Sequence, residues 1–104
     1  MFHIFSHLLN FSSPSVNMYL RRWGKVIFSR NKPPMDMLFW NICSLEQLTR
    51  ELNRWLEGDI PEGEKIRSIE RYDFRFGWVK IKNDKQAREM MFGVNEIQLI
   101  VAIS

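Results

Sequence analysis

The sequence predicts an α+β domain: a four-stranded antiparallel sheet with two helices on one face, in the order β-α-β-β-α-β over residues 35–104. Three observations lead there. SLEQLTRELNRWLEG (44–58) has helical spacing, with Leu45, Leu48, Leu52, Trp55 and Leu56 on one stripe. NEIQLIVAIS (95–104) alternates with period two, placing Ile97, Leu99, Val101 and Ile103 on one parity. Between them, FGWVKIKN (76–83) offers large rings on one parity and Gly77, Val79 and Ile81 on the other.

The elements follow in chain order. MDMLFWNI (35–42) is rich in aromatic and branched residues and reads as the first strand. The first helix begins after Ser44, a natural N-cap, with Gln47 placed to complete a capping box, and Gly58 ends it. DIPEGE (59–64) is a loop. KIRSIERYDF (65–74) is a second strand, and a turn falls near residues 72–75. FGWVKIKN is the third strand. Asp84 caps a short second helix, DKQAREMMF (84–92), whose Ala87, Met90 and Met91 share a core-facing side, and Gly93 closes it. NEIQLIVAIS is the last strand. This order is the split βαβ, or ferredoxin-like, sandwich. Its third strand is central, with Gly77 allowing close packing against the helices, and its second face is open.

Composition limits the alternatives. The 104 residues suffice for one domain and an arm, and 45% hydrophobic residues are enough for a core. The apolar runs fall short of the roughly 20 residues of a membrane-spanning helix. Cys43, the single cysteine, cannot form an internal disulfide and reads as a buried or half-buried structural thiol. His3 and His7 are four apart but lack a carboxylate or thiol nearby, so they do not make a metal site. No nucleophile–base pair, flanked carboxylate pair or phosphate-cradling glycine loop is visible. The reading is therefore non-enzymatic, with no cofactor.

Charge divides the chain. Residues 1–35 carry Arg21, Arg22, Lys25, Arg30 and Lys32 and no acid, whereas residues 36–104 carry 10 basic and 12 acidic residues. Pro33-Pro34 marks a stiff boundary. Residues 1–34 thus read as a basic arm ahead of a domain at 35–104. Three readings of the arm stand: a transit peptide, a basic tail touching phosphates, or, for residues 1–17, an extension before an alternative start at Met18. The compartment stays open, nuclear, cytoplasmic or mitochondrial.

FGWVKI (76–81) resembles the third-strand signature of the RNA recognition motif family, with Phe76 and Trp78 at its stacking positions. LFWNI (38–42) resembles the first-strand signature one residue short, with Phe39 as its stacking ring and Trp40 as a competitor. NDKQAREMM resembles the segment after the third strand. The likeness covers roughly residues 36–104; it departs at Arg75, where the family has glycine, and in its short loop between strands two and three. The resemblance implies a single-stranded RNA-binding module. Bases would stack on Phe39, Phe76 and Trp78, with Lys80, Lys82 and Arg71 near phosphates. The alternative is a module of the same fold that binds a peptide or a second copy of itself through its sheet or helix face, without RNA. No membrane is implied by either reading.

Overall fold

The computed structural model describes residues 15–34, 41–90 and 96–104. Its elements are β1 (Ser15–Arg22), β2 (Lys25–Arg30), α1 (Leu45–Trp55), β3 (Ile66–Asp73), β4 (Gly77–Lys80), α2 (Asp84–Glu89) and β5 (Glu96–Ile103). The five strands form one mixed sheet in the order β2-β1-β5-β3-β4. β5 is its middle strand, parallel to β1 and antiparallel to β3.

The predicted four-stranded, all-antiparallel ferredoxin-like sheet is therefore corrected. The difference arises in residues 15–30, expected as an arm, which supply two of the five strands. Val16, Met18 and Leu20 are buried on one parity of β1, and their register partners in β5 are Ile97, Leu99 and Val101. Matching two apolar parities side by side removes both from water at once, at about 25 cal/mol per Å² of apolar surface. β1 turns into β2 through Trp23 and Gly24, both at positive φ (54° and 77°), as a two-residue hairpin loop requires. A bulge between Leu20 and Arg21 then shifts the register. The predicted first strand at 35–42 falls mostly on 35–40, outside the described residues.

The two helices cap themselves alike. In α1, Ser44 Oγ accepts from Gln47 N at 3.0 Å and Gln47 Oε1 accepts from Cys43 N at 3.0 Å. In α2, Asn83 Oδ1 accepts from Gln86 N at 2.9 Å and Gln86 Oε1 accepts from Lys82 N at 2.6 Å. Asn83, not Asp84, is thus the cap. Asp84 instead takes the Leu45 N–H at 2.8 Å, tying the start of α2 to that of α1. Leu48, Leu52, Trp55, Ala87 and Met90 join the buried strand residues and Ile81 in one core. Cys43 is exposed, contrary to expectation, with its Sγ 3.3 Å from Gln47 Oε1. The cap holds it at the surface.

β4 lies at an end of the sheet, not at its centre. Gly77 has φ +77°, and a Cβ added there meets nothing within 4 Å. The turn's backbone, and not helix packing, requires the glycine.

Candidate nucleic-acid interface

The helices cover one face of the sheet. The other face collects the opposite parities: Tyr19 of β1, Tyr72 of β3, and Trp78 and Lys80 of β4. Tyr72 and Trp78 are register partners, with ring centroids 5.4 Å apart in an edge-on arrangement. Tyr19 meets Trp78 edge-on at 6.5 Å. Such edge-to-face pairs hold the rings in place. Trp78 nevertheless stays 40% exposed. Beside the rings, Arg21 bridges from β1 to Glu70 of β3 at 2.9 Å. Lys80 is the register partner of Glu70.

The hairpin tip extends this surface. Phe76 N donates to Asp73 O at 3.2 Å, closing a β-turn over residues 73–76 before Gly77. Asp73 is the buried polar residue of the described structure, and its Oδ1 accepts from Arg75 N at 2.7 Å and Phe76 N at 3.3 Å. These N–H groups, Arg75's first, together with the Arg75 guanidinium, hold its carboxyl below the usual carboxylate range, while burial pulls the other way. The turn exposes Phe74 and Phe76, at 85% and 73%. The Arg75 guanidinium lies over both rings, 5.6 and 5.3 Å from their centroids.

The sequence-predicted residues divide. Phe76 is on the tip, and Trp78 and Lys80 are on the open face beyond it. Lys82 is exposed just past the end of β4. Arg71 is on the other side: its register partners are Val79 and Leu99, and its guanidinium pairs with Asp73 at 3.3 Å. The structure therefore does not bring Arg71 to the rings. Phe39 lies outside the described residues. Tyr19 and Arg75 join the surface without having been singled out as contacts. The alternation Val16-Asn17-Met18-Tyr19-Leu20 was the signal for Tyr19. The departure from glycine at Arg75 was the signal for the second.

No protein-family model matches the chain, and no curated protein matches it in sequence. Among the described residues no helix is long and apolar enough to cross a membrane.

Proposed function

We propose that the open face and the β3–β4 tip bind single-stranded RNA, as a non-catalytic module. The exposure of Phe76 and Trp78 carries this reading. Large rings left in water beside cations are suited to unstacked bases, which a duplex does not offer. Arg75 lies over the tip rings, Lys80 shares the open face with Trp78 and Lys82 is exposed past the strand end, and the nearby acids are engaged: Glu70 by Arg21, Asp73 by Arg71 and Arg75. Two stacked bases contribute roughly 2–6 kcal/mol, against about 8 kcal/mol for micromolar binding. The expected affinity is micromolar or weaker.

Fluorescence anisotropy with a short labelled RNA of mixed sequence tests this, run single-stranded and as its duplex across a salt series. The single strand should bind more tightly. Its log–log salt slope should be about −2 if three phosphates are neutralised at about −0.7 each. Equal binding of the duplex, or affinity indifferent to salt, would count against the proposal.

One observation favours a protein partner instead. β4 has no strand on its outer side among the described residues, so an extended peptide or a second copy has a free edge to pair with. A concentration-dependent dimer on size exclusion, without RNA affinity, would favour that reading.

A further inference from the structure

Next to Tyr19 the open face dips into a recess of about 230 Å³, lined by Asn17, Tyr19, Ser29, Arg30 and Asn31. It joins the aromatic surface directly, because the Tyr19 ring that borders it also meets Trp78. A cavity of this size is below the range of drug-sized ligand sites and suits a single flat heterocycle.

Its chemistry is neutral. The Arg30 guanidinium is taken up elsewhere, donating to Trp55 O at 2.9 Å and pairing with Asp59. The remaining polar groups are two amides and two hydroxyls, which suit a base edge better than a phosphate. Asn17 Nδ2 donates to Glu96 Oε1 at 2.6 Å, which leaves Asn17 Oδ1 as an acceptor. The Ser29 and Asn31 side chains have no hydrogen-bond partner among the described residues.

We infer that this recess is a base-reading subsite for adenine, filled by a neighbour of the base stacked on Trp78. This rests on the single-stranded RNA reading above. The Asn31 amide offers the donor–acceptor pair that adenine N7 and N6–H₂ take bidentately, and Asn17 Oδ1, its Nδ2 being taken by Glu96, is the acceptor left in the lining for an exocyclic amine. Uracil presents a carbonyl oxygen in place of that amine, opposite a lone pair.

The test compares labelled oligo(A), oligo(U) and oligo(C) on wild type, Asn31→Ala and Phe76→Ala/Trp78→Ala. Asn31 is exposed, so its truncation leaves the fold intact. Wild type should bind oligo(A) about fivefold or more tighter than oligo(U), the lower end for one bidentate pair. Asn31→Ala should bring that ratio close to one while moving oligo(U) affinity by less than about twofold. The double variant should weaken all three. Equal wild-type affinities, a preference for oligo(C), or an equal loss on both oligo(A) and oligo(U) in Asn31→Ala would overturn the adenine subsite but leave RNA binding standing. Binding of none of the three by wild type would remove the RNA reading itself.

Discussion

Asp73 accepts the backbone N–H groups of Arg75 and Phe76 while its second oxygen faces the Arg71 guanidinium at 3.3 Å. One short carboxylate thus shapes the turn that presents Phe74, Arg75 and Phe76. Its pH signature follows from the direction of its shift. A carboxyl held below its ordinary value in the folded chain adds stability that is complete above the unfolded value, about 3.9. That stability is lost as pH falls through the lower folded value. Asp73→Asn should therefore melt below wild type near neutral pH and lose less on acidification to about pH 3, as thermal scans at both pH values would reveal. An unchanged acid limb would mean that the carboxylate does not hold the turn. The arginines of β1 and β2 show the same local logic. Arg21 pairs with Glu70, Arg22 with Glu64 through two bonds of 2.9 and 2.5 Å, and Arg30 with Asp59. Most of the cationic charge of residues 1–35 is spent on acids of the rest of the chain.

At the scale of elements, α1 and β5 were legible because their signals are strong and unopposed. Ser44 with Gln47 marks a helix start, and four alternating aliphatics mark a strand buried on one face. β3 and β4 were legible as a hairpin, but not as the end of the sheet, since position in a sheet depends on partners that a local pattern does not name. β1 and β2 were missed because their charge was more conspicuous than their alternation. Two variants examine this part of the fold. Leu20 is fully buried in β1, so Leu20→Ala should cost about 2–5 kcal/mol in urea unfolding. A cost near zero would return residues 15–30 to the basic arm that the sequence suggests. Trp23 holds φ 54° at the β1–β2 tip, exposed and bulky where Asn or Gly is the usual occupant. Trp23→Asn should stabilise the chain by about 1 kcal/mol; a loss of stability would mean that the ring makes a contact worth more than the strain.

For the whole molecule, the sheet separates two chemistries. One face and the helices share a single apolar core. The other keeps Tyr72 and Trp78 in water beside a half-buried Tyr19, continued by Phe74 and Phe76 on the tip. Exposed apolar patches of this kind mark surfaces that meet a partner. The parity of FGWVKI disclosed the outward Trp78 and the inward aliphatics, Val79 and Ile81, whereas Phe76, expected on the same face, is exposed by the turn that precedes β4. The recess beside Tyr19 was not legible, because it needs β1 and β2 side by side and those strands went unread. On the proposed function, the rings, and not general positive charge, hold the RNA. Anisotropy titration of a labelled mixed-sequence single strand into wild type and Phe76→Ala/Trp78→Ala, with the fold of both checked by circular dichroism, tests it most directly. Losing two stacks of at least about 1 kcal/mol each should weaken binding roughly 30-fold or more; equal affinities for the two proteins would contradict it.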